Sequence, residues 1–183
     1  MRLFVSVDLD GFAAEIRSVQ ERVGDASGVR RTDPENVHVT LKFLGEVEEE
    51  RVSDLAANLA DAIDEAGVEP FAAVFGGLGA FPSEEYIRVI WVGVREGGDE
   101  LARLHGAIEN RTTEMGFDPA DHEFTPHATI ARMDHAGGKD RVQRALRESD
   151  PTVGALNVDE VRLTESVLAD DGPEYTTVER FEL

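Results

Sequence analysis

The stretch His38-Val39-Thr40-Leu41-Lys42-Phe43-Leu44-Gly45 constrains this chain more than any other. Alternate side chains of a β-strand point to opposite faces, so a strand here sorts into an apolar and a polar side. Val37, Val39, Leu41 and Phe43 form the side suited to a core, leaving His38, Thr40 and Lys42 in a row on the other. A second copy begins at His127, as His127-Ala128-Thr129-Ile130-Ala131-Arg132. There Ala128 and Ile130 take the core side, and His127 and Thr129 the open one. Strict alternation turns Arg132 towards the core, so it meets a ligand only if the strand bends or ends first. Two H-x-T strands, each followed by a basic residue, predict one site assembled from two halves.

The elements around the motifs follow from periodicity. Phe12, Ile16, Val19 and Val23 recur at helical spacing ahead of Gly24, as do Val52, Leu55, Leu59 and Ile63 ahead of Gly67. Leu101, Leu104, Ile108 and Met115 mark a third helix, and Val142, Ala145 and Leu146 a short fourth. Strands are predicted over 2–8, 70–75, 86–94, 153–157, 158–168 and 175–183, and a turn over 30–36. The run Gly76-Gly77-Leu78-Gly79-Ala80-Phe81-Pro82-Ser83 predicts an irregular connection. From either H-x-T motif the order is strand, helix, strand, strand. The predicted fold is therefore α+β, a single bilobal domain over 1–183. Its two pseudo-symmetric lobes, each an antiparallel sheet with helices outside, face a central groove.

Charge narrows the ligands. Among 183 residues, 18 are Lys or Arg and 38 are Asp or Glu, giving a net charge of −20. The only lysines are Lys42 and Lys139, and the acids run along the whole chain. Arginine-for-lysine usage with an acidic surface points to a halophile, in which high salt screens self-repulsion. The alternative is an acidic surface made for a basic partner. Either way there is no broad basic patch for duplex DNA, so an anionic ligand must be held locally. Cysteine is absent, which excludes disulfides and thiolate metal sites. No stretch approaches the roughly 20 apolar residues of a membrane span. A cytoplasmic monomer with no membrane partner is expected.

Two opposed imidazoles can act as an acid–base pair, because an ordinary pKa of about 6.5 keeps both forms available near neutrality. Thr40 and Thr129 can hydrogen-bond an oxyanion between the rings, and Lys42 can add positive charge there. The substrate that suits such a site is a phosphodiester, a strained five-membered cyclic one above all.

At these residues the chain resembles the two-histidine phosphoesterases, specifically the RNA 2′,3′-cyclic phosphodiesterases also called 2′-5′ RNA ligase-like proteins. The resemblance spans nearly the whole length. It rests on Arg2-Leu3-Phe4-Val5-Ser6-Val7, on 34–45 with the first H-x-T, on Phe81-Pro82 and on 88–94. It continues through Phe124-Thr125-Pro126-His127-Ala128-Thr129-Ile130-Ala131-Arg132 and Leu163-Thr164-Glu165-Ser166. The resemblance implies hydrolysis of a terminal 2′,3′-cyclic phosphate to a 2′-phosphate, with no metal and no cofactor. It implies His38 as proton donor to the leaving 3′ oxygen and His127 as the base that activates water. The implied partners are RNA 3′ ends or small cyclic nucleotides. An RNA-end-binding module without turnover and 2′-5′ ligation by the reverse reaction are the alternatives. The family commonly has an aromatic residue before the Pro-Glu-Asn turn, where Arg31-Thr32-Asp33 stands here.

The remaining histidines have plainer readings. His105 lies beside an apolar helical stripe and is structural, while His122 and His135 sit in polar loops. Asp121-His122 lacks the ligand spacing of a zinc motif. The Gly76-Gly77-Leu78-Gly79 run lacks the following helix and lysine of a phosphate loop. Trp91 is expected in the core, and Phe81 to stack on a base.

Overall fold

A computed structural model describes residues 1–183. The first strand, β1 (Arg2–Asp8), is buried from Leu3 to Val7, so both of its faces are covered. It lies between β3 (His38–Glu46) and β8 (Glu160–Ala169), antiparallel to each. The remaining strands are β2 (Val29–Arg31), β4 (Phe71–Pro82), β5 (Ile87–Glu96), β6 (His127–Met133), β7 (Thr152–Val158) and β9 (Gly172–Glu182). They form one curled antiparallel sheet of nine strands in the order β7-β4-β5-β6-β3-β1-β8-β9, with β2 added beside β6. The two halves meet at β3 and β6, which share the single registered pair Val39–Ala128. A seam held by so little pairing lets the halves splay into a groove.

Four helices cover the sheet: α1 (Ala13–Gln20), α2 (Val52–Ala66), α3 (Gly98–Glu114) and α4 (Lys139–Glu148). Leu55, Leu59 and Ile63 of α2 and Leu101, Leu104 and Ile108 of α3 are buried, each contributing about 1.5–3 kcal/mol as an upper estimate. The α2 stripe ends where Gly67 takes φ +62°, a left-handed cap that glycine adopts without strain. Helices α2 and α3 pack together against β3 and β9 of one half, and α1 and α4 against β4, β6 and β7 of the other. The repeat therefore runs β3-α2-β4-β5 and β6-α4-β7-β8. No helix is long and apolar enough to cross a membrane.

Two segments differ from expectation. The glycine-rich run after Phe75 is strand, because β4 continues to Pro82 through bulges opposite β5. Its glycines serve close approach. A Cβ on Gly79 would lie 2.2 Å from the Trp91 ring, and one on Gly76 would lie 2.9 Å from the Pro151 carbonyl. The expected turn over 30–36 is partly strand β2, so that only Pro34–Asn36 forms a 3₁₀ turn. Asp33 caps it by accepting the Glu35 N–H at 3.0 Å.

Candidate active site

Both motif strands carry a bulge just after the threonine, and the bulges decide which side chains reach the groove. Along β3 the partners on β1 skip Leu41, and along β6 the partners on β5 skip Ile130. An extra residue on one strand inverts the alternation beyond it. A side chain from a packed helix reaches the carbonyl at each bulge. His105 Nδ1 of α3 bonds Leu41 O at 2.7 Å, and Gln20 Nε2 of α1 donates to Ile130 O at 2.9 Å. Pseudo-symmetry thus extends to how each bulge is held.

Past its bulge β6 turns Arg132 outward, onto the face of His127 and Thr129, while Ala131 is buried. Past its bulge β3 does the same with Phe43, which is 71% exposed. Lys42, expected beside His38 and Thr40, is instead 5% exposed on the core side. Its Nζ donates to Glu109 Oε2 at 2.8 Å and to Asp118 O at 2.6 Å. Glu109 Oε1 in turn accepts the Ala120 N–H at 2.6 Å. Burial works against Glu109's charged form, yet Lys42 and the Ala120 N–H outweigh it and hold the carboxyl below its ordinary pKa. Lys42 thus ties the first motif to the loop that delivers the second, away from the groove.

Val39 opposite Ala128 sets the register of the seam. One residue either way, His38 faces Thr129 and Thr40 faces His127, so the histidines are diagonal neighbours. Such neighbours stand roughly 7–8 Å apart at the backbone, leaving room for one phosphate between the rings. Each ring is oriented by the same local device. His38 Nδ1 meets Asn36 O at 2.7 Å, and His127 Nδ1 meets Thr125 O at 2.6 Å. A carbonyl only accepts, so each Nδ1 carries the hydrogen and each neutral Nε2 keeps a lone pair. His38 Nε2 lies 3.1 Å from Thr40 Oγ1.

Desolvation lowers the pKa of both histidines. Their carbonyl partners oppose the shift, as does Asp8 at His38, while the Arg132 guanidinium reinforces it at both rings. The apolar surroundings are aromatic. Phe4 stacks on His38 at 4.8 Å between centroids, and Tyr175 meets it edge-on at 5.5 Å. Phe81 meets His127 edge-on at 4.8 Å, with Trp91 at 5.9 Å. Trp91 is therefore a groove residue, half-buried above Gly79. Phe81 is held between Trp91 and His127, at the end of a strand.

The groove thus unites His38, His127, Thr40, Thr129, Arg132 and Phe81, and leaves Lys42 out. Phe4, Phe43, Tyr175 and Trp91 join it without any signal in the H-x-T pattern. His105 takes the structural place expected of it, stacked on Phe124 at 4.2 Å. His122 pairs only with its neighbour Asp121, on an exposed loop. No group of three or more His, Cys, Asp or Glu side chains is arranged to hold a metal ion.

A bilobal antiparallel sheet with one H-x-T strand on each side of its seam defines a two-histidine groove protein. The chain belongs to the 2′-5′ RNA ligase superfamily, whose pattern matches residues 7–169. It is 37% identical to an RNA 2′,3′-cyclic phosphodiesterase of Archaeoglobus fulgidus, over 100% of both chains. One of Methanothermobacter thermautotrophicus is 34% identical, over 100% of this chain and 99% of that one. The crystal structure of TT0787 of Thermus thermophilus superposes with a TM-score of 0.81 at 30% identity, covering 100% and 98% of the two chains. E. coli LigT complexed with 3′-AMP gives a TM-score of 0.79 at 24% identity over 100% and 97%, a likeness of fold.

Proposed function

We propose that this chain hydrolyses 2′,3′-cyclic phosphates at RNA 3′ ends, or in small cyclic nucleotides, to 2′-phosphomonoesters without a metal. The observation that carries the reading is the pair of imidazoles across the seam, both with Nδ1 tied to a backbone carbonyl, with His38 Nε2 beside the Thr40 hydroxyl. The full-length relatives named RNA 2′,3′-cyclic phosphodiesterase support it.

In the proposed reaction His127 Nε2 takes a proton from water as the water oxygen bonds to phosphorus. The bond from phosphorus to the 3′ oxygen breaks, and protonated His38 gives its Nε2 proton to that oxygen. The product carries a 2′-phosphate and a free 3′ hydroxyl. Proton exchange with solvent then returns both rings to their starting states. Thr40 and Thr129 hydrogen-bond the non-bridging oxygens, and Arg132 supplies the positive charge that Lys42 cannot. Phe81 walls the groove beside His127.

The test is turnover of a 2′,3′-cyclic nucleotide in excess chelator, with the product followed by phosphorus NMR. A 2′-phosphate formed at an undiminished rate is expected. Loss of turnover that zinc or manganese restores would overturn the acid–base mechanism. Tight binding of cyclic-phosphate ends without hydrolysis would make the groove a binding module.

A further inference from the structure

Beyond His38, on the groove face of β1, β8 and β9, lies a cavity of about 170 Å³. Phe4 and Tyr175 wall it with aromatic surface, and Asp8, Asp10 and Glu35 line it with carboxylates. Arg162, a cation in its lining, is committed. It donates to Asp8 at 2.7 Å, to Asp10, and to Glu160 at 2.6 Å. With that guanidinium neutralised, the cavity is negative and repels a phosphate. Of the groove's unpaired cations, Arg2 lies near Tyr175, and Arg132 lies near both histidines at the seam as well as near Tyr175. A cyclic nucleotide therefore enters with its phosphate at the seam and its uncharged portion towards Phe4.

One atom of the cavity wall is unsatisfied. Thr164, opposite Phe4 on β8 and 3% exposed, lines the cavity, and its Oγ1 has no hydrogen-bond partner. An orphaned hydroxyl in a buried wall costs stability unless a ligand completes it. A cavity of about 150 Å³ holds one benzene ring, so this one admits a single six-membered ring.

We propose that this pocket receives the terminal nucleobase and selects cytosine over uracil, an inference that rests on the function proposed above. The exocyclic amino group of cytosine offers two donors where uracil offers an acceptor. Carboxylates only accept, so Glu35 and the second lone pairs of Asp8 match the amino group and oppose the uracil oxygen. The Thr164 hydroxyl donates to the adjacent ring nitrogen or carbonyl of cytosine. This placement puts the ribose, and with it the leaving 3′ oxygen, on the His38 side of the phosphate. It supplies a geometric reason for His38 to be the acid.

The experiment compares kcat/KM for 2′,3′-cyclic CMP and 2′,3′-cyclic UMP in the intact protein and in its Thr164→Val and Glu35→Gln variants. Roughly tenfold preference for the cytidine compound is expected, mostly in KM. Thr164→Val keeps the side-chain shape and Glu35→Gln lies on an exposed turn, so both should fold. Glu35→Gln adds a donor and should bring the ratio towards one, Thr164→Val should raise KM for both compounds because a hydroxyl can donate or accept, and the pH profile set by the histidines should stay put. Equal kcat/KM in the wild type, an unchanged ratio in Glu35→Gln, or an unchanged KM in Thr164→Val overturns the pocket and leaves the proposed function standing. If neither compound is hydrolysed, the function fails, and titration with 2′-CMP and 2′-UMP judges the pocket alone. Equal affinities would then sink it.

Discussion

Replacing Lys42 with methionine separates a structural strut from a phosphate ligand. The substitution keeps the length of the side chain and removes the ammonium that holds Glu109 at 2.8 Å and the Asp118 carbonyl at 2.6 Å. Side-chain exposure is 4% at Lys42 and 17% at Glu109, so the pair is largely withdrawn from water. Breaking a buried pair by removing one partner costs about 3–5 kcal/mol, and Glu109's partial access to solvent favours the lower end. At roughly 2–4 °C per kcal/mol for a chain of this size, Lys42→Met should melt about 6–12 °C below wild type. Adding Glu109→Gln removes the stranded charge and should recover part of that loss. Turnover should fall far less than the roughly 10²-fold or greater loss expected when a catalytic histidine is removed. A calorimetric melt and a steady-state assay on the same preparation decide it. A melting point within about 2 °C of wild type, with turnover as low as in His38→Ala, would put the ammonium into the chemistry and refute the strut.

Other perturbations read the groove and the surface. The proposed mechanism needs one histidine protonated and the other neutral, so kcat/KM should be a bell centred midway between their two pKa values. Burial lowers both, and the maximum should therefore fall below about pH 6.5; a maximum above that value would contradict the desolvated site. Arg132→Ala removes a charge that opposes protonation of both rings, so the bell should move to higher pH while KM rises; an unmoved bell with unchanged KM would take Arg132 out of the groove. A net charge of −20 should make the thermal melt rise between dilute buffer and molar potassium chloride, and equal melts would count against a halophilic origin of the acidity.

The helical stripes, the strand-helix-strand-strand repeat and the opposed histidines follow from side-chain periodicity, which is why they are legible in the sequence. What escapes it comes down to the extra residue just after the threonine in each motif strand. Skipping Leu41 sends Lys42 to the core and Phe43 to the groove, and skipping Ile130 brings Arg132 out. The only trace of the bulges lies far away in the chain. Gln20 and His105 are polar groups in the packed faces of α1 and α3, each reaching the carbonyl of the extra residue. A buried polar residue on a helix is thus a clue to irregular backbone in the strand it packs against. The glycines of β4 mislead for a related reason. They make room for Trp91 and Arg95, and nothing in the run itself distinguishes close packing from a loop.

In the proposed mechanism two histidines divide one proton donation and one proton abstraction, and the sharpest test of that division changes the leaving atom. A general acid matters only as far as the departing oxygen needs a proton. Sulfur in place of the 3′ oxygen of the cyclic phosphate departs as a far weaker base. Single-turnover rates are to be measured for wild type, His38→Ala and His127→Ala on the oxygen and the 3′-thio substrates. His38→Ala should recover most of its deficit on the thio substrate, while His127→Ala should stay impaired because water must still be activated. Rescue of His127→Ala with His38→Ala left impaired would contradict the assignment, and equal rescue of both would contradict the division of labour itself.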